Sequence, residues 1–223
     1  MSMDEEKVAE NEAGHDGLAT RDDLAFVRAL VDQAPRTQAS AGLLFMICGG
    51  IYGLQCLVYW GELAGLYSLP PLGGLLTALV PVIVSVGAII WVIVRAGPAP
   101  AAGVATRALN AAFSSTGLVN LVMILLFGVI ATREKSMLIW LIYPAVICAL
   151  QGGAWYVAYA IRRKVWLLAV ACGWFAAAAV LGFVIERLEL YLLILSVALI
   201  GLMAVPGYVM WRLSRPVNPV IQE

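Results

Sequence analysis

Uncharged polar side chains recur at helical spacing in three apolar stretches of the 223-residue chain. Asn110, Ser114 and Gly117 stand at i, i+4 and i+7, with Phe113 and Asn120 at one edge. Gln151, Trp155 and Tyr159 repeat every four residues, and Tyr52, Gln55 and Tyr59 lie three and four apart. Residues at these intervals share one face of an α-helix. In apolar surroundings their amides and hydroxyls must find partners, so such faces turn inward. Two uses are open to them. They can bond across helix–helix seams, where small residues such as Gly49-xxx-Gly53, Ala169-xxx-Gly173 and Ala178-xxx-Gly182 let backbones approach. Alternatively, Gln55, Asn110, Ser114, Asn120 and Gln151 line a cavity for a neutral solute or lipid group, opened by proline kinks. Packing is the commoner use of any one such residue, and a cavity requires several to converge on one void.

Charged chemistry is sparse by contrast. Catalysis within a membrane requires an acid, base, nucleophile or metal held by the fold. No Asp, His or Lys falls within any apolar stretch, which argues against haem ligation by two histidines, a Ser/His dyad or a Schiff-base lysine. The sole histidine, His15, lies in a polar tail. Cys48, Cys56, Cys148 and Cys172 all fall in apolar segments without CxxC spacing, so a redox motif, zinc site or disulfide framework is not expected. Glu62, Glu134, Glu186 and Glu189 map to the outer ends of helices. Arg133, Lys135 and Arg187 interleave with them and leave about one net negative charge, too little for a strong field. No midplane carboxylate is present to mark a proton- or sodium-coupled pathway. The expectation is a non-enzyme with no metal and no cofactor.

The elements that must carry these residues follow from composition. The chain is 62% hydrophobic and 13% charged, with a mean hydropathy of +0.92. Soluble domains are nearer half apolar and a quarter charged. An all-α integral membrane protein is therefore expected, with the bilayer as its surroundings and no nucleic-acid partner. Six stretches are long enough to span: 40–60, 72–94, 107–131, 137–161, 165–185 and 190–211. They form a six-helix transmembrane domain over 37–213, followed by a tail over 214–223. The turns "TREKS", "RRK" and "ERLE" are so short that the helices they join must be antiparallel neighbours.

Orientation follows from the basic residues. With the N-terminus cytoplasmic, that side receives eleven: Lys7, Arg21, Arg28, Arg36, Arg95, Arg107, Arg162, Arg163, Lys164, Arg212 and Arg215. The other side receives three. Both termini are accordingly expected in the cytoplasm, and the membrane is expected to be a bacterial inner membrane. Trp155, Tyr159, Trp166, Tyr208 and Trp211 fall toward the inner level, and Tyr59, Trp60 and Trp140 toward the outer one.

Residues 1–19 read as a disordered acidic tail without the basic start and apolar centre of a secretory signal. In "TRDDLAFVRALVDQAPR", Thr20 and Asp23 resemble a capping box, and Pro35 ends the segment. Residues 20–36 are thus expected to form a cytoplasmic amphipathic helix. Leu24, Val27, Leu30, Val31 and Ala34 make its apolar stripe, and Arg28 and Asp32 pair on the other side. That stripe can lie on the membrane surface or the bundle, or it can dock a soluble or membrane protein partner.

A shift of 62 residues aligns "ICGGIYGL", "LNAAFSST" and "ACGWFAAA", and Pro81, Pro144 and Pro206 recur at 63 and 62. The pattern fits three helical-hairpin repeats. A competing pairing of "GLQCLVYW" with "ALQGGAWY" implies an inverted repeat instead; the hairpins are preferred. The first functional expectation is a non-catalytic accessory or regulatory membrane protein that engages a partner through residues 20–36. The alternative is a channel or facilitator for a small neutral solute.

Overall fold

The computed structural model describes residues 39–96 and 104–214. Residues 1–38, 97–103 and 215–223, including the acidic tail and the stripe Leu24, Val27, Leu30 and Val31, lie outside the described residues. The described residues form six long apolar helices and contain no strand. The helices are α1 (Ala39–Leu63), α2 (Pro71–Ala96), α3 (Val104–Glu134), α4 (Met137–Arg162), α5 (Val165–Phe183) and α6 (Leu188–Leu213). A π-helical turn, Ile200–Ala204, interrupts α6. At 1.5 Å per residue, the shortest of the six is about 28 Å long, close to the thickness of a bilayer's hydrocarbon core. Their outer faces are apolar, with Ile83, Leu118 and Leu125 each about two-thirds exposed. Such a surface suits lipid, and the chain is an integral membrane protein.

Two tight turns carry basic residues in the left-handed region. Lys135 (φ 48°) separates α3 from α4, and Arg163 (φ 54°) caps α4 through its N–H to the Tyr159 carbonyl. A non-glycine residue there costs roughly 1–2 kcal/mol. Reversal of the chain at these turns packs α4 between α3 and α5.

The first and last helices close the bundle. Gly42, Gly49 and Gly53 lie on one face of α1, at intervals of seven and four. A Cβ on Gly49 would sit 2.6 Å from the Ala204 nitrogen and 2.8 Å from the Leu199 oxygen. From the other side, a Cβ on Gly207 would sit 2.5 Å from the Met46 nitrogen. Backbone thus lies against backbone along this seam. Ser196, wholly buried on α6, donates from Oγ to the Gly53 carbonyl at 2.8 Å. Gly173 admits the Leu202 side chain in a similar way, and Gly152 admits the Phe175 ring. A Cβ on Gly182 would meet no other element within 4 Å, so no backbone approaches at Gly182 of Ala178-xxx-Gly182.

Candidate functional site

Each of the three prolines in the interior of a span, Pro81, Pro144 and Pro206, weakens its helix at a predictable place. Proline has no N–H, so the carbonyl four residues earlier loses its normal donor. In lipid that loss must be made good by a neighbouring helix. Pro81 in α2 frees the Thr77 carbonyl, and Gln55 of α1 donates to it from Nε2 at 3.0 Å. Pro206 in α6 frees the Leu202 carbonyl at the π turn, and Trp174 of α5 donates from Nε1 at 3.2 Å. Pro144 in α4 has a related arrangement one carbonyl along, where Tyr191 of α6 donates to the Leu141 oxygen at 2.6 Å. Three side chains from three helices therefore stitch three proline-interrupted segments.

The candidate cavity residues occupy separate places. Gln55 is taken up by the Thr77 carbonyl. Asn120 is half-buried, and its Oδ1 accepts the Tyr143 hydroxyl at 2.6 Å between α3 and α4. Ser114 is exposed and bonds back to the Ala111 carbonyl; Ser115 and Thr116 bond to Ala112. These hydroxyls satisfy themselves on their own helix, as Ser and Thr commonly do. The seam expected along this part of α3 is replaced by an outward face, with Asn120 crossing to a neighbour. Gln151 is half-buried in α4 with its Oε1 buried and unpartnered.

Asn110 is exposed and lines a cavity of about 50 Å³. Ala41 of α1, Thr106 of α3, Arg162 of α4, Trp166 of α5 and Met210 of α6 join it there, so five helix ends converge. None of Gln55, Ser114, Asn120 or Gln151 lines this space. Its inner wall is aromatic. Trp155, only 1% exposed, sits 5.6 Å from Phe45, 5.4 Å from Phe113 and 6.0 Å from Trp166, measured between ring centroids. Its Nε1 is buried and has no hydrogen-bond partner. The sequence places Trp155 on a polar stripe with Gln151 but gives no sign that Thr106, Arg162 and Trp166 gather around it. Only their shared level at the basic end of the bundle hints at that.

At the opposite end, Glu62 has a structural role: its Oε1 accepts the Leu69 N–H at 3.2 Å, while Tyr67 donates to the Val58 carbonyl. The loop between α1 and α2 is thereby folded onto the end of α1. Compared with known proteins, the chain matches no family model, no curated protein and no solved structure.

Proposed function

We propose that the protein is a non-catalytic accessory or regulatory component of a bacterial inner membrane, with both termini cytoplasmic. It engages a protein partner through the amphipathic segment 20–36. The observation that supports this reading most is the use made of the bundle's polar groups. Gln55, Trp174, Tyr191, Ser196 and the Asn120–Tyr143 pair are all engaged in bonds between helices. With these groups spent on bonds between helices, the bundle serves as an anchor, and the partner-binding chemistry falls to the cytoplasmic segment. Its apolar stripe opposite an Arg28/Asp32 pair suits helix-in-groove docking.

The test is site-specific photo-crosslinking in cells from Leu24, Val27, Leu30 and Val31, with Arg28 and Asp32 as polar-face controls. The expected result is one discrete protein adduct from the four stripe positions and none from the controls. Deletion of residues 1–36 should leave membrane insertion unchanged. Adducts to lipid alone at every stripe position would overturn the partner-docking role.

One observation favours the facilitator as a second reading: Gln151 Oε1 and Trp155 Nε1, one helical turn apart, are buried without partners. That reading requires saturable flux of a small neutral solute in proteoliposomes, lost on Gln151→Leu. Flux equal to that of empty vesicles rules it out.

A further inference from the structure

The cavity at the basic end combines features that a merely packed interior does not need. Its floor is Trp155, buried with an unpartnered N–H, and its rim holds Thr106, Asn110 and Arg162. A buried donor without an acceptor costs about 1–3 kcal/mol. Arg162 stands two turns beyond Trp155 on α4, roughly 10 Å along the axis. Side chains on a helix lean toward its N-terminus, which brings the guanidinium back toward the indole. Both line the same space. Arg95, Arg107, Arg163, Lys164 and Arg212 terminate or join helices at this same end. By the measure that gives 50 Å³, one water takes about 10–15 Å³, so a group of a few heavy atoms fits.

We propose that this cavity binds the phosphate of a phospholipid headgroup. Trp155 Nε1 and Arg162 donate to the phosphate oxygens, and Asn110 and Thr106 contact the ester and glycerol oxygens at the rim. Arg162 also has an interaction within the protein, but its five N–H donors serve more than one acceptor. The lipid, as opposed to free phosphate, is indicated by what continues from Asn110. Leu118, Leu121 and Leu125 follow it on the same exposed face of α3, between 62% and 69% exposed, and offer an apolar track for acyl chains. The charge is complementary, and the track begins about 12 Å beyond Asn110 along the helix, within reach of acyl chains whose phosphate sits in the cavity.

Native mass spectrometry of the full-length protein in detergent, titrated with phosphatidylglycerol, diacylglycerol or inorganic phosphate, tests the assignment. Phosphatidylglycerol should give a stoichiometric adduct. Diacylglycerol, which lacks the phosphate, should give none above background, and inorganic phosphate should bind at least about a hundredfold more weakly because it lacks acyl chains. Trp155→Phe, which keeps most of the ring packing, should weaken the lipid about fivefold. Arg162→Gln should weaken it about tenfold, and Arg162→Lys should recover most of the loss. Thermal unfolding of each variant separates a local loss from a misfolded chain. Equal binding of diacylglycerol, or unchanged binding in both Trp155→Phe and Arg162→Gln, would overturn the site. Inorganic phosphate binding as tightly as the lipid would overturn the lipid assignment.

Discussion

Gly49→Ala should lower the stability of the bundle by about 3 kcal/mol, whereas Gly50→Ala, one residue along, should be neutral or stabilising by up to about 1 kcal/mol. Both changes replace the poorest ordinary helix former with the best, so propensity favours each equally. Their surroundings differ completely. A methyl on Gly50 meets nothing within 4 Å, whereas one on Gly49 meets the backbone of Ala204 and Leu199 at 2.6 and 2.8 Å. A side chain could rotate aside, but backbone at the π turn can yield only if α1 and α6 separate. That separation also breaks the Ser196–Gly53 bond, which joins residues 143 apart in sequence. Gly207→Ala should match Gly49→Ala, since it meets the Met46 nitrogen from the other side. Thermal unfolding in detergent reads the difference, and equal effects at positions 49 and 50 would mean the seam is looser than described.

Trp155→Ala should destabilise by about 3 kcal/mol, near the low end of large-to-small core changes. The reason for the low end is the solvent. Unfolded spans in a membrane remain in an apolar medium, so the loss is one of packing rather than of transfer from water. The packing lost is large, because the indole touches rings from α1, α3 and α5. Trp155→Phe should cost under about 1.5 kcal/mol, since no hydrogen bond is broken when an unpartnered Nε1 is removed. An equally large loss in both variants would show that the N–H is engaged within the protein. Denaturation in mixed micelles separates these outcomes.

The six spans were legible because length and apolarity alone decide them, and Gly49-xxx-Gly53 marked a close seam on α1. The facing element was not legible, because a small residue says that something approaches but not what. In α3 the reading of an inward polar face failed for a physical reason. Ser114, Ser115 and Thr116 bond to their own preceding turn, so their polarity places no demand on a neighbour. Asn120, whose amide can satisfy itself less easily, does cross to Tyr143. The partner of Gln55 was within reach of sequence reasoning. A proline at 81 frees the carbonyl at 77, and a carbonyl freed in lipid needs a donor from another helix. The cavity was out of reach, since it exists only where five helix ends meet.

That polar side chains here hold broken helices together, instead of lining a passage, is tested most directly by a double-mutant cycle between Gln55 and Pro81. In the wild type, Gln55→Ala strands the Thr77 carbonyl and should cost about 1 kcal/mol. In Pro81→Ala, the new N–H at position 81 can donate to Thr77, so removing Gln55 should cost close to nothing. The predicted coupling is about 1 kcal/mol, at the upper part of the range for hydrogen bonds between membrane helices. A cost for Gln55→Ala that is the same in both backgrounds would contradict it.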